Sequence, residues 1–292
     1  MGQRSGRKKD DQPAPRMGLN GCPLEGSFEN PCYNLSKQTL SRIQDCASEH
    51  GRLRQENHSL RQELDKRNAT RHEREMARSQ ELLISQMAAI FALAKLTESR
   101  DDETGGHLRR VERYCRLLAE SMVQESGNVF RLSSREIDVL CRASVLHDIG
   151  KVGVRDDILL KPGRLTDEEF AVMKKHTTIG ADILDSVRQK YPGNVFIVMG
   201  VIVARSHHER WDGTGYPDRL CDGEIPPPAV IMAIADVYDA LRSRRCYKEP
   251  ISHEEACEII REGSGTQFHP KAVDAFLATR KQFQKIRQHL ED

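Results

Sequence analysis

Between residues 35 and 85 apolar side chains are sparse but regularly placed. Cys46, Leu53 and Leu60 recur every seven positions, with Ile43 and Leu64 on the adjoining positions. No proline, and no turn signal beyond Gly51, breaks the stretch, so it reads as one long helix. His50, Asn57 and Arg67 interrupt the seam. The helix therefore either pairs with a second copy as a coiled coil or stands alone in solvent, and both readings stay open. After Leu82 the apolar density rises, and Met87, Ile90, Leu93 and Ala94 form a helical stripe that leads toward residues 97–110.

Helical signals dominate beyond this point. Ser133 with Glu136, Thr166 with Glu169, and Ser252 with Glu255 each set a hydroxyl three residues before a glutamate, the signature of a capped helix start. No strand-period alternation of useful length competes, so the fold class is all-α, a helical bundle preceded by the long helix. Two stretches read as non-helical, residues 152–165 and 209–228, the second rich in glycine and proline. The first residues begin with a basic run and continue with few large apolar side chains, a composition that cannot offset the entropy of ordering. The expected organisation is a disordered tail over 1–34, a helical or coiled-coil signalling segment over 35–85, and a folded body over 86–292.

Composition narrows the classes. At 292 residues and 38% apolar content the chain can bury one sizeable core. Lys+Arg 45 against Asp+Glu 44 leaves no broad field for nucleic acid or a membrane surface, so any anion site is local. The apolar run over residues 195–204 is too short to cross a bilayer and no signal peptide is visible, so the expectation is a cytoplasmic protein without a membrane span. The eight cysteines lie far apart, which makes reduced thiols the default; Cys22 and Cys32, in the tail, are the two to watch.

The chemistry concentrates in histidines. Glu103 and His107 are spaced i,i+4, so a helix would aim both at one ion. His147 and Asp148 close an apolar run and must be satisfied by bonds, which metal coordination would provide. His207 and His208 leave a helix about 100° apart, suited to one ion or to two neighbouring ones. Asp236 is a carboxylate inside an apolar stretch. His176, beside Lys174 and Lys175, reads equally well as a ligand or as part of a solvated face.

The order of these elements resembles the HD-GYP family of metal-dependent phosphohydrolases from about Gln86 onward. The resemblance rests on the stretch from Arg100 through Glu103 to His107, on His147-Asp148-Ile149-Gly150-Lys151, and on Lys161-Pro162-Gly163-Arg164-Leu165. It continues through His176 with Gly180, the run from His207 to Gly213-Thr214-Gly215-Tyr216-Pro217, and Asp236-Val237-Tyr238-Asp239. It implies a phosphodiesterase that opens cyclic di-GMP to linear pGpG, and further to GMP in some members. Another cyclic dinucleotide such as cyclic GMP-AMP, or a nucleotide-binding or cyclase-binding scaffold with little turnover, are the alternatives.

The same resemblance implies that His107, His147, Asp148, His176, His207, His208 and Asp236 bind two or three divalent ions, iron or manganese, with Asp148 bridging. Glu103 matches a carboxylate that accompanies a third metal. Two close cations would activate a shared water and clamp the phosphate. Lys151 would stand near the scissile phosphate, and Arg245 and Lys248 would contact the dinucleotide with Asp239 orienting them. Residues 213–217 offer a contact for a diguanylate cyclase, although packing of the loop is the favoured role for Tyr216, and residues 35–85 offer a homodimer face. Three positions depart from the family's usual pattern: Thr177 replaces a proline, Arg242 a threonine and His269 an aspartate.

Overall fold

The structure, a computed structural model, describes residues 37–100, 106–125, 130, 132–244 and 249–290. The expected tail at 1–34, with Cys22 and Cys32, lies outside the described residues, as do Glu103, Arg245 and Lys248. The described chain is all-α, with no strand beyond two isolated bridges. None of its helices is long and apolar enough to cross a membrane.

Helix α1 runs without a break over Lys37–Glu98. The chain divides within it into two units, Met1–Glu73 and Arg74–Asp292. In the first unit every described side chain is exposed, including Leu40, Ile43, Leu53, Leu60 and Leu64. Its support is local, such as the Arg67 to Glu63 ion pair at 2.7 Å one turn away.

The second unit carries the core. Helix α2 (His107–Glu125) sits at its centre and packs against α3 (Ser134–Ala143), α8 (Pro227–Arg242) and α10 (Pro270–His289). Val111, Tyr114, Leu118 and Met122 recur at three- and four-residue steps on the buried face of α2. Tyr114 stacks on Phe283 of α10 at 4.7 Å and meets Tyr238 of α8 edge-on at 5.2 Å. A second cluster joins Ala94 of α1 to Leu108, Leu146, Leu184 and Ala204, which anchors the end of α1 on the body. Helix α6 (Lys175–Lys190) pairs with α7 (Val195–Ser206), and α9 (His253–Glu262) bridges α8 and α10.

The local signals explain where these helices begin. Ser133, Thr166 and Ser252 each accept from the backbone N–H three residues on, and the matching glutamate returns to the cap, at the starts of α3, α5 (Asp167–Met173) and α9. Asn194 caps α7, and Pro227 opens α8, where its missing N–H is no loss. The stretch 152–165, expected to be non-helical, instead contains the short helix α4 (Asp156–Leu159), whose Ile158 and Leu159 join a small buried cluster with Val154. The three departures have structural roles. Thr177 is buried and donates to the Lys174 carbonyl at 2.9 Å, Arg242 reaches the Ile251 carbonyl, and His269 accepts the Lys271 N–H at 3.1 Å as the cap of α10.

One glycine contact shapes the site. A 3-10 turn over Ile149–Gly153 lies so close to α6 that a Cβ on Gly150 would sit 1.9 Å from the His176 carbonyl oxygen and 2.5 Å from the Gly180 nitrogen. Gly150→Ala is expected to destabilise the fold by about 2–3 kcal/mol through this overpacking. A thermal unfolding midpoint equal to that of the wild type would contradict the contact.

Candidate metal centre

Seven of the predicted side chains converge in two groups. Asp148, His176, His207 and His208 form one, and His107, His147 and Asp236 the other; within each, one ligand atom per residue lies within 4.8 Å of the rest. They come from separate elements of the bundle. His107 is the first residue of α2, His176 sits in the first turn of α6, His207 follows α7 as its C-cap, and Asp236 lies inside α8.

Asp148 stands between the groups. Its Oδ1 is 3.2 Å from His176 Nε2 and 3.6 Å from His207 Nε2, and its Oδ2 is 3.3 Å from His147 Nε2 and 2.7 Å from Lys151 Nζ. Asp236 Oδ1 is 3.8 Å from His147 Nε2 and 3.9 Å from His107 Nε2.

The imidazoles are held from behind. Nδ1 of His147 bonds the Ser144 carbonyl at 2.9 Å, Nδ1 of His176 the Met173 carbonyl at 2.7 Å, and Nδ1 of His207 the Val203 carbonyl at 2.9 Å. A carbonyl only accepts, so the ring proton must sit on Nδ1 and the lone pair on Nε2 must face the centre. Those three Nε2 atoms and Asp148 Oδ1 are buried and make no hydrogen bond among the described residues. Buried polar atoms left so are costly, and several imidazole nitrogens and a carboxylate oxygen facing one point suit cations. The donor set therefore fits divalent metal ions.

Electrostatics agree. Burial pushes His176 down to about 4, against the pull of Asp148, and pushes His208 well down with help from neighbouring imidazoles. Both rings are neutral, and so able to donate lone pairs, near neutral pH. Burial also opposes charge on Asp148, but Lys151, His147 and His207 together hold its carboxyl well below the usual carboxylate range. For His147 the balance tips the other way: burial lowers its affinity for a proton, yet Asp148 and Asp236 outweigh it and raise the value.

Asp239 stands behind the cluster. It is fully buried; its carboxylate accepts from Arg110 Nε at 2.7 Å and Nη2 at 3.0 Å and lies 2.9 Å from His107 Nδ1. Within the described residues it orients a histidine of the cluster; Arg245 and Lys248, which it was expected to orient, lie outside them. Burial works against its charge, but His107 and Arg110 hold its pKa far down.

Four contributors were not singled out from sequence. Arg110 is 0% exposed and anchors Asp239; its place three residues after His107 on the buried face of α2 was the available signal. Glu98, buried at the end of α1, has a carboxylate oxygen 4.0 Å from His107 Nε2 and sits four residues past buried Ala94. Arg100, quoted only as part of a motif, donates to the carbonyls of Val152 at 2.8 Å and Val154 at 3.2 Å and to Asp156 at 2.6 Å. It thereby ties the end of α1 to the turn that carries Lys151. Glu209, also buried, accepts the N–H groups of Asp218 at 2.7 Å and Leu220 at 3.0 Å and so shapes the glycine-rich loop beside the cluster.

Comparison with known families matches residues 91–272 to the HD domain. A cyclic di-GMP phosphodiesterase of Vibrio cholerae serotype O1 is 44% identical over 231 residues, covering 79% of this chain and 45% of that protein. A probable cyclic di-GMP phosphodiesterase of the same organism is 47% identical over 219 residues, covering 74% and 49%. A 3'3'-cGAMP-specific phosphodiesterase 2, also from Vibrio cholerae, is 39% identical over 203 residues, covering 70% and 36%. The chain thus spans about half the length of the first two relatives.

Proposed function

The chain belongs to the HD domain family, and we propose that it is a metal-dependent phosphodiesterase of the HD-GYP kind that opens cyclic di-GMP to linear pGpG. The observation that carries this reading is the convergence of buried Nε2 atoms on Asp148, each imidazole locked from behind by a carbonyl. The names of two relatives supply the substrate class.

In this reading His176, His207, His208 and Asp148 would hold one ion, and His107, His147 and Asp236 a second, with Asp148 shared between them. Glu103, outside the described residues, is the candidate for a third. The ions, iron or manganese in this reading, would supply a hydroxide-like nucleophile near neutral pH and neutralise charge on the phosphate. The protein's own groups do the rest. Asp148, held ionised by Lys151 and the imidazoles, keeps the two groups at a set spacing. The Lys151 ammonium, 2.7 Å from Asp148, is placed to balance phosphate charge and to give a proton to the departing oxygen. Asp239 keeps His107 in one tautomer and orientation.

Arg245 and Lys248 remain proposed contacts for the nucleotide, residues 213–217 a contact for a diguanylate cyclase, residues 35–85 a homodimer face, and the cytoplasm the location that goes with the substrate. Because Arg100 holds the turn carrying Lys151, Arg100→Ala is expected to lower kcat about tenfold by misplacing that lysine, with metal content retained. Arg100→Lys should restore part of the loss, since one donor can still reach a carbonyl. Wild-type kcat in the alanine variant would show that the tie does not position Lys151.

The deciding experiment is chromatographic product analysis of metal-quantified protein given cyclic di-GMP and, separately, cyclic GMP-AMP, beside a His147→Ala, Asp148→Ala variant. Linear pGpG from the wild type only is the expected result. Faster conversion of cyclic GMP-AMP would move the substrate to the class named for the third relative. No product from fully metallated protein would favour a binding scaffold over an enzyme.

A further inference from the structure

Beside the cluster lies a groove of about 560 Å³ between the α5–α6 junction and the loop 213–217. Its wall carries Lys174, Lys175 and Arg219 together with the rings of Phe170 and Tyr216, and no carboxylate lines it among the described residues. In a chain whose 45 basic and 44 acidic residues nearly cancel, three cations around one cavity with no acid make a local anion site.

The groove joins the metal centre through one ring. Tyr216 packs 4.8 Å from the His208 imidazole and 6.4 Å from that of His176, and it lines the groove as well. Phe170 meets Tyr216 edge-on at 6.1 Å, and Lys174 Nζ stands 5.2 Å from the Phe170 centroid and 5.9 Å from that of Tyr216. Tyr216 thus borders the cluster on one side and a wall of aromatic carbon and positive charge on the other. That pairing suits a nucleotide, whose base offers a flat apolar face and whose phosphate offers anionic oxygens. A cyclic dinucleotide has two phosphates, and only one can be the one that is cut.

We propose that this groove is the subsite for the uncut half of the dinucleotide, its phosphate facing Lys174, Lys175 and Arg219 and its purine lying against Tyr216 and Phe170. The assignment rests on the phosphodiesterase reading and deepens it, because it explains how a site whose metal ligands would accept any phosphodiester comes to prefer a dinucleotide. The cavity volume falls in the ordinary range for small-ligand sites. The attraction between exposed cations and phosphate should weaken as salt rises.

The test compares two substrates on the metal-loaded full chain. Bis(p-nitrophenyl) phosphate has one phosphate and no nucleotide to place in the groove, whereas cyclic di-GMP has both. The variants are Lys174→Gln with Lys175→Gln, and separately Arg219→Asn. Asparagine is chosen because Arg219 has a φ of 58°, a backbone region that asparagine tolerates. The readout is the ratio of kcat/KM for the dinucleotide to that for the aryl diester, with metal content measured alongside.

The ratio is expected to fall roughly tenfold in each variant, through KM for the dinucleotide, as loss of a charged hydrogen bond would produce. The wild-type ratio should itself decline with added salt. An unchanged ratio in both variants, whether the two activities hold or fall together, overturns the groove assignment while leaving the phosphodiesterase reading intact. Wild-type protein that cleaves the aryl diester but no cyclic dinucleotide overturns that reading, and the subsite with it.

Discussion

Asp148→Asn is expected to cut turnover of the cyclic dinucleotide by at least about 10³-fold and to lower the metal bound per chain, since an amide is a neutral and poorer ligand. Asp148 has both oxygens turned to the cluster, Oδ1 toward His176 and His207 and Oδ2 toward His147 and Lys151. The change removes a negative charge from among four imidazoles and an ammonium, so neighbouring cations lose the group that offsets their mutual repulsion. Steady-state rates together with metal quantification check the expectation. A variant that keeps its metals and turns over near the wild-type rate would remove Asp148 from the centre of the mechanism.

Asp239→Asn should act mainly through stability. Arg110 is completely buried and its guanidinium makes two bonds to Asp239, so neutralising the carboxylate leaves a buried cation without its counter-charge. Breaking one side of such a pair costs about 3–5 kcal/mol, which for a unit of this size lowers the unfolding midpoint by about 10 °C. The same change weakens the acceptor behind His107, and metal affinity should drop about 10- to 100-fold. A double variant, Arg110→Met with Asp239→Leu, separates the effects. It should recover much of the stability, because neither charge remains buried, yet it should not recover metal affinity. Recovery of both would show that Asp239 serves packing alone.

What could be read from the sequence was what local rules and residue chemistry determine. The three capping boxes, at Ser133, Thr166 and Ser252, form where a hydroxyl three residues before a glutamate predicts. His107, His147, Asp148, His176, His207, His208 and Asp236 converge because charged and imidazole groups in apolar stretches need partners, and each other is what they find. His176, which its lysine neighbours made ambiguous, is 2% exposed and part of the cluster.

What could not be read was who stands behind whom. Asp239 and Arg110 are 129 residues apart in the chain, and their pairing depends on α2 packing against α8. No periodicity announces such a contact. Arg100 poses the same difficulty, since its acceptors are backbone carbonyls of a turn more than fifty residues later, and carbonyls leave no mark on a sequence. The short helix α4, inside a stretch rich in turn residues, forms because Ile158 and Leu159 find apolar neighbours, a tertiary cause that overrides local preference.

The carbonyl anchors behind His147, His176 and His207 also decide what can displace the ions. With Nδ1 spent on the backbone, each ring has a single basic atom left, and it is the atom a metal would use. Hydrogen ions and metal ions are then rival occupants of the same seats. On acidification an ion does not leave by losing one ligand; several rings must be taken over together, and each that is taken over repels the ion that remains. Occupancy plotted against pH should therefore break more steeply than the titration curve of any lone imidazole, so that any metal content would be a cooperative function of acidity.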